Sequence, residues 1–239
     1  MRHSSTDRAS SWQQPVRLAL LTTAGVAVLS YALPADYAAT GVGMAFLVAT
    51  YALALRGDDA DAARRYGLSL GGLLDPEPIA PARLMRDAGR ALGWATLAAA
   101  LIFPFFWLGY LWWWRPVQPF LPSPPASLAD DVLGQVLVIA LPEEAFYRGY
   151  LQTALDDAWP PRWRVLGATI GPGLVVASAL FAFGHVVTEI HPNRLAVFFP
   201  SLVFGWLRAK SGGIGAPLAF HAACNLFSSF LGRSYGLHG

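Results

Sequence analysis

Charged residues are scarce in this chain. Only 13% of its 239 residues are Asp, Glu, Lys or Arg, whereas 55% are hydrophobic and the mean hydropathy is +0.43. A soluble domain usually carries about 25% charged residues, so the shortage argues against an ordinary soluble domain. It is typical of a polytopic membrane protein built as one compact helical unit. The net charge of +2 gives no sign of a nucleic-acid partner, and we expect none.

Cysteine and lysine are rarer still. Cys224 is the single cysteine, which excludes an intrachain disulfide and leaves the redox compartment open. Lys210 is the single lysine among 17 basic residues. Arginine-rich, lysine-poor composition is typical of a high-GC bacterium, so we expect a multi-pass protein of the bacterial inner (cytoplasmic) membrane.

Apolar windows long enough to cross a membrane occur seven times. They lie at 16–33, 38–55, 91–114, 132–155, 166–188, 195–209 and 213–232. The sequence therefore predicts an all-α fold, a polytopic transmembrane helical bundle of about seven helices, within a range of six to eight. We divide the chain into N-terminal transmembrane helices at 1–129, with a polar loop at 56–90, and a second region at 130–232. The end of the loop, "ARLMRDAGRAL", is predicted to form a short interfacial helix.

The distribution of basic residues favours one orientation. If the N-terminus is cytoplasmic, thirteen basic residues fall on the cytoplasmic side and three on the opposite side, and one, Arg148, stays inside a helix. Because cytoplasmic loops carry an excess of Lys and Arg, this asymmetry predicts a cytoplasmic N-terminus. The thirteen are Arg2, Arg8, Arg17, Arg56, Arg64, Arg65, Arg83, Arg86, Arg90, Arg162, Arg164, Arg208 and Lys210, and the three are Arg115, Arg194 and Arg233.

The fourth window contains charges that a membrane should not tolerate. In "VLVIALPEEAFYRGYL" (136–151), Glu143, Glu144 and Arg148 interrupt an apolar run. One ionised side chain at the bilayer centre costs roughly 2.5–3.5 kcal/mol on insertion scales. Glu144 and Arg148 are four residues apart, so they can form an ion pair on one helix face, whether as a structural clamp or in a direct role. Glu143 points about 100° away, along the face that it shares with Tyr147, and Pro142 loosens the helix beside it.

Two further windows carry similar polar residues. His185 follows Phe181 by one turn in the fifth window, and the seventh contains His221 and Asn225 on one helix face. A lone intramembrane His or Asn is often only a helix-packing hydrogen bonder. Three helices that each bring such groups indicate one shared polar cavity instead, with Glu143, His185, His221 and Asn225 inside it. Tyr147 is either a hydrogen-bond donor to this cluster or a packing residue, and Phe181 is predicted to be a cavity wall.

Such a cavity suits acid–base hydrolysis of a peptide bond. A buried glutamate can deprotonate water, and a histidine within reach can orient that water. A His–Asn pair can donate hydrogen bonds to the oxyanion that forms at the carbonyl. The chain has no H-E-x-x-H or G-x-G-D sequence. Glu143, His185 and His221 could bind zinc, but their spacing is not diagnostic, so we expect no cofactor and keep zinc as the alternative.

These residues resemble a known family, the CAAX protease and bacteriocin-processing (CPBP) intramembrane proteases. The family's motifs are E-E-x-x-x-R, F-x-x-x-H and H-x-x-x-N or H-x-x-x-D on successive core helices. Here they read "EEAFYR" (143–148), "FAFGH" (181–185) and "HAACN" (221–225), in the same order. The resemblance covers about residues 130 to 232 and makes 130–232 a CPBP-like catalytic core.

The resemblance implies a role for each matching position. Glu143 would be the general base that activates water, without a metal, and His185 would help to hold that water. His221 and Asn225 would form the oxyanion site, while Glu144 and Arg148 would support the architecture. The implied function is an intramembrane endopeptidase, similar to CAAX prenyl endopeptidases.

The family's substrates include prenylated CAAX proteins, bacteriocin leaders and C-terminal anchoring signals. For a bacterial chain we expect a membrane-anchored or C-terminally tagged protein, with membrane lipid as the other partner; a sortase-like ("myxosortase") subtype and the oligomeric state stay open. Two rival functions use the same residues. One is a proton-coupled transporter, which predicts inverted repeats that the sequence does not show. The other is a non-catalytic membrane scaffold or immunity protein.

Overall fold

The computed structural model describes residues 12–237, and it is 75% helical. Its helices are α1 (Gln13–Ala32), α2 (Ala35–Thr50, continued by a π-helical turn at Tyr51–Leu55), α3 (Ala62–Arg65), α4 (Pro81–Trp114), α5 (128–158), α6 (Pro172–Thr188), α7 (Phe198–Ser211) and α8 (Gly215–Ser234). Short 3₁₀ turns occur at Leu70–Gly72 and Pro192–Val197. Strands β1 (Trp163–Val165) and β2 (Ala168–Ile170) form an antiparallel hairpin. The predicted all-α helical membrane bundle is confirmed.

Seven of these helices correspond to the seven predicted spans, and α3 is a short addition. Three of them are long and apolar enough to cross a membrane: Gln13–Ala32, Ala35–Leu55 and Pro81–Trp114. Helix α6 is apolar but shorter. Large hydrophobic side chains such as Leu21, Val28 and Leu101 are exposed on α1 and α4, as expected for surfaces that face lipid.

The sequence prediction was wrong in two places. The segment "ARLMRDAGRAL" does not form a separate interfacial helix, because α4 begins at Pro81 and continues unbroken through good helix formers. The fifth span does not begin at residue 166. Leu166 and Gly167 both have positive φ (49° and 76°), which is the backbone of a tight hairpin turn, and α6 begins only at Pro172.

Helix packing brings the N-terminal helices into contact with the CPBP-like segment. Helix α4 lies along α8, α7 lies between α6 and α8, and α1 and α2 pack against α6 and α5. The core between them is rich in aromatic residues. Its fully buried members include Phe146, Leu151, Leu155, Phe181, Phe204, Leu207 and Phe220.

The connections gather at two opposite ends of the bundle. At one end, the Gly67 carbonyl accepts from the Ile214 amide (2.9 Å), and Arg65 contacts Asp157 at 2.7 Å. We call this the basic end, and it comprises the 56–80 segment, the hairpin 163–170 and the turn 212–214. At the other end, the Leu121 amide donates to the Ser234 carbonyl (2.9 Å). Arg2 and Arg8, which count toward the predicted orientation, lie outside the described residues.

Candidate active site

Helix α5 is irregular around the two glutamates. Its α-helical parts, Leu128–Leu133, Leu141–Glu144 and Gln152–Ala158, are separated by π-helical stretches at Gly134–Ala140 and Ala145–Leu151. Pro142 has no amide hydrogen to give to the carbonyl of Val138, so the regular hydrogen-bond ladder cannot continue there. π-Helical turns often occur at functional sites because they widen the helix and shift side chains. The loosening predicted from Pro142 is therefore seen on both sides of the Glu143–Glu144 pair.

A glycine of α2 allows a close approach to this irregular segment. A Cβ atom added at Gly43 would lie 2.5 Å from the Val138 carbonyl oxygen and 3.3 Å from the Pro142 ring. Only a residue without a side chain fits this contact. Helix α2 therefore supports α5 directly before Glu143.

Glu144 and Arg148 form the predicted ion pair in the interior. Glu144 Oε2 lies 3.3 Å from Arg148 Nε, and the two side chains are 0% and 1% exposed. Arg148 also donates to the Ser201 hydroxyl (2.6 Å) and the Ser201 carbonyl (3.1 Å) on α7. The second oxygen of Glu144 accepts from Nδ1 of His221, 2.9 Å away. The Glu144–Arg148 pair thus joins three helices, α5, α7 and α8.

Aromatic rings enclose this charge cluster. The Arg148 guanidinium lies 4.5 Å from the ring centre of Phe181 and 5.1 Å from that of Phe204. Phe204 also stacks on the His221 ring at 4.7 Å. Cation–π contacts of this kind offset part of the cost of burying the guanidinium. Phe181 is thus behind the polar cavity described next and is not part of its lining, which differs from the predicted cavity wall.

The four predicted site residues line one cavity of about 780 Å³: Glu143, His185, His221 and Asn225. Tyr147 lines it as well. From α5, the lining residues Gln135, Ile139, Glu143 and Tyr147 follow one another at intervals of four. Helices α1 and α2 supply further walls, including Thr23 and Val42, and the segment after α6 supplies Glu189 and Arg194. The cavity is therefore shared between the N-terminal helices and the CPBP-like core.

The two histidines have different partners. Nδ1 of His185 lies 3.0 Å from the carbonyl oxygen of Phe181, so it must carry the hydrogen of that bond. In the neutral ring, Nε2 of His185 then carries the lone pair. For His221, Nδ1 is held by Glu144, and Nε2 lies 3.8 Å from Oε2 of Glu143. His221 therefore stands between the two glutamates.

The remaining polar groups pair across helices. The Asn225 amide donates to Oε1 of Gln135 at 2.9 Å. The Tyr147 hydroxyl lies 3.4 Å from that of Thr23 on α1. Sequence reasoning missed Gln135 and Thr23, although Gln135 is a polar residue within an apolar run, eight positions before Glu143.

Glu143 differs from its neighbours in lacking a close partner. Its side chain is 14% exposed, and Oε2 is buried without a hydrogen bond from any residue that the structure describes. Within residues 12–237, no group of three His, Cys, Asp or Glu side chains is arranged to hold a metal ion. The alternative zinc ligands Glu143, His185 and His221 are therefore not assembled as a ligand cluster.

Comparison with known proteins identifies the same part of the chain. Residues 125–227 match the family model described as "Type II CAAX prenyl endopeptidase Rce1-like". The match contains all three motifs, but it gives no support for a sortase-like subtype. No curated protein and no solved structure matches the chain significantly. Over residues 125–227 the chain is thus Rce1-like, as the resemblance of its motifs to the CPBP proteases predicted.

Proposed function

We propose that this protein is a glutamate-dependent intramembrane endopeptidase. It hydrolyses a peptide bond near the membrane in a membrane-anchored or C-terminally tagged protein. One observation carries the proposal: Glu143, His185, His221 and Asn225, from three separate helices, line the same cavity. A polar cavity with an unpaired carboxylate among apolar helices costs free energy of folding. Ionisable residues in such a position are therefore typical of a functional site.

Water activation requires a proton acceptor and an orienting group. We assign Glu143 as the general base, since Oε2 has no hydrogen-bond partner among the described residues. His185 orients the water. Its Nδ1–H is held by the Phe181 carbonyl, so the lone pair on Nε2 is available to accept one hydrogen of the water while Glu143 takes the other. The hydroxide then adds to the substrate carbonyl.

Stabilisation of the oxyanion is assigned to Asn225 and His221. One hydrogen of the Asn225 amide is bound by Gln135, which fixes the amide and leaves its second hydrogen for the oxyanion. His221 can donate from Nε2 only as the imidazolium, because Nδ1 already donates to Glu144. Oε2 of Glu143 lies 3.8 Å from Nε2 of His221. After Glu143 has taken the proton from water, it gives that proton to the leaving amine.

The surroundings of the cavity favour a substrate that is itself anchored in the membrane. Apolar residues of α1 and α2, including Val26, Ala38 and Val42, form part of the wall. A peptide attached to a lipid or a membrane helix can reach such a wall without leaving the bilayer. We place the protein in the bacterial inner membrane with a cytoplasmic N-terminus, with membrane lipid and the anchored substrate as its partners.

The test is the variant Glu143→Gln, which keeps the size of the side chain and removes the base. Protein termini in the membrane fraction are mapped by mass spectrometry in cells that express either the wild type or the variant. We expect loss of the wild-type-dependent termini, with turnover reduced roughly 10²–10⁴-fold. Glu77→Gln, in the loop at the basic end, is the matched control and retains processing.

Normal processing by Glu143→Gln would sink the peptidase proposal and favour a scaffold, immunity or transport role. Inactivation of the wild type by a chelator, reversed by zinc, would overturn the metal-free assignment.

A further inference from the structure

The hairpin between α5 and α6 exposes apolar and basic side chains together. Trp163 is 44% exposed and Leu166 is 82% exposed, although both are large and apolar. Arg162 and Arg164 flank Trp163 and are also exposed. Neither arginine forms an ion pair with any residue in the described part of the chain.

The hairpin is held in a fixed position by α7. The indole N–H of Trp206 donates to the Val165 carbonyl at 2.9 Å, and Lys210 Nζ donates to the Leu166 carbonyl at 3.3 Å. Lys210 thereby adds a third cation beside the tip. The exposed surface is therefore preformed, and we define the hairpin tip as residues 162–166 together with Lys210.

No acidic residue lies in the part of the sequence that contains and follows the hairpin. The sequence contains no Asp or Glu between residues 158 and 188. At the end of α5, Asp157 is paired with Arg65 at 2.7 Å, and the half-buried Asp156 faces Arg208. The tip thus presents arginines and a lysine that these carboxylates do not neutralise, which suits a negatively charged partner.

The position of the tip identifies that partner as the membrane surface. The hairpin lies between the end of α5 at Ala158 and the start of α6 at Pro172. Its tip is therefore at the end of the bundle, where the membrane meets water. Trp is enriched at this boundary, and Lys and Arg near it are attracted to anionic lipids. We propose that the hairpin tip binds the head groups of anionic glycerophospholipids, with Trp163 and Leu166 inserted at the interface. This inference does not depend on the proposed peptidase activity.

The experiment places a fluorophore on the tip of the full-length chain. In a Cys224→Ala background, Leu166→Cys is labelled with an environment-sensitive dye, and the protein is reconstituted in nanodiscs of phosphatidylcholine alone or of equal parts phosphatidylcholine and phosphatidylglycerol. Quenching by a lipid with a nitroxide near the head group reports contact with the interface. We expect stronger quenching in the phosphatidylglycerol discs, and Arg162→Gln with Arg164→Gln should weaken this preference about fivefold per arginine.

Two paired variants serve as controls. Arg162→Lys with Arg164→Lys retains the charge and should retain the preference. Arg86→Gln with Arg90→Gln removes two exposed arginines of α4 and should not affect quenching at the tip. Equal quenching in both kinds of disc, or quenching by aqueous iodide alone, would overturn the proposal. Loss of the stronger quenching in phosphatidylglycerol discs when inorganic phosphate is added at the concentration of that lipid would also overturn the proposal. The site would then recognise free phosphate.

Discussion

At the scale of single residues, Glu143 and Glu144 are adjacent in the chain and have opposite surroundings. Glu144 is fully buried, with Arg148 at 3.3 Å and His221 at 2.9 Å. Glu143 is partly exposed to the cavity, and His221 at 3.8 Å is its nearest ion-pairing group. The helix geometry separates them, since consecutive residues point about 100° apart. One carboxylate is therefore built into the framework and the other remains available for chemistry.

The first residue-scale prediction concerns Glu144→Gln. Removing this charge leaves the Arg148 guanidinium buried without its counter-charge, which typically costs about 3–5 kcal/mol. We expect a large loss of stability against thermal unfolding in detergent, whereas Glu143→Gln should change stability by less than about 1 kcal/mol. Similar melting temperatures for the two variants would contradict the separate roles. Replacing Glu144 and Arg148 together by Gln and Met should recover part of the loss, because no unpaired charge remains.

Sequence reasoning predicted part of this site. The i, i+4 spacing was enough for the Glu144–Arg148 pair, and the cost of polar groups in lipid was enough for the shared cavity. Ser201, which holds Arg148, and the His221–Glu144 contact join residues that are 53 and 77 positions apart. Such partners are set by how the helices pack, and no local spacing in the sequence encodes them.

At the scale of elements, the contact between α2 and α5 determines where Glu143 lies. Gly43→Ala would place a methyl group 2.5 Å from the Val138 carbonyl, so one helix must shift. Overpacking of this kind typically costs about 1–3 kcal/mol. We expect Gly43→Ala to lower both thermal stability and peptidase turnover.

The matched control for Gly43→Ala is Gly25→Ala on α1, where no atom lies within 4 Å of the added Cβ. There the change should be neutral or stabilising by about 0.5–1 kcal/mol, because Ala loses less entropy than Gly in a helix. Equal effects at the two positions would show that the α2–α5 contact does not constrain the site.

The 56–80 segment depends on one buried carboxylate. Asp75 lies 2.7 Å from Arg83 and 3.2 Å from Arg64. Burial alone raises the pKa of Asp75, but hydrogen bonds from Ser69, Arg83 and Arg64 outweigh it and hold that pKa below its ordinary value. A depressed folded-state pKa stabilises the fold above the unfolded value of about 3.9, and the contribution is lost as the pH falls through the folded-state pKa.

Asp75→Asn should therefore unfold at a lower temperature than the wild type at pH 7, and this difference should shrink as the pH falls below about 4. Asp87→Asn is the control, because its exposed carboxylate lies 3.8 Å from Arg83 and contributes little. A difference for Asp75→Asn that stays constant down to low pH would refute the role of the ionised carboxylate.

At the scale of the whole molecule, the bundle has two chemically different ends. The basic end gathers Arg64, Arg65, Arg164 and Lys210, while Arg115 and Arg233 lie toward the other. Hydropathy was sufficient to predict the bundle and its seven longer helices. An apolar span in lipid must satisfy its backbone hydrogen bonds internally, so it forms a helix. The hairpin was missed because "LGATI" (166–170) is apolar enough to extend the next span, whereas the turn depends on the positive φ angles of Leu166 and Gly167.

The asymmetry between the ends predicts how the protein is inserted. Because Lys and Arg are retained on the cytoplasmic side, the basic end should face the cytoplasm. The test uses single cysteines in a Cys224→Ala background and a membrane-impermeant maleimide applied to spheroplasts. Val117→Cys, at a position that is 99% exposed near the opposite end, should be labelled in intact spheroplasts. Asp58→Cys, in the exposed loop of the basic end, should be labelled only after lysis; the reverse pattern would refute the orientation and turn the proposed lipid-binding hairpin toward the outer leaflet.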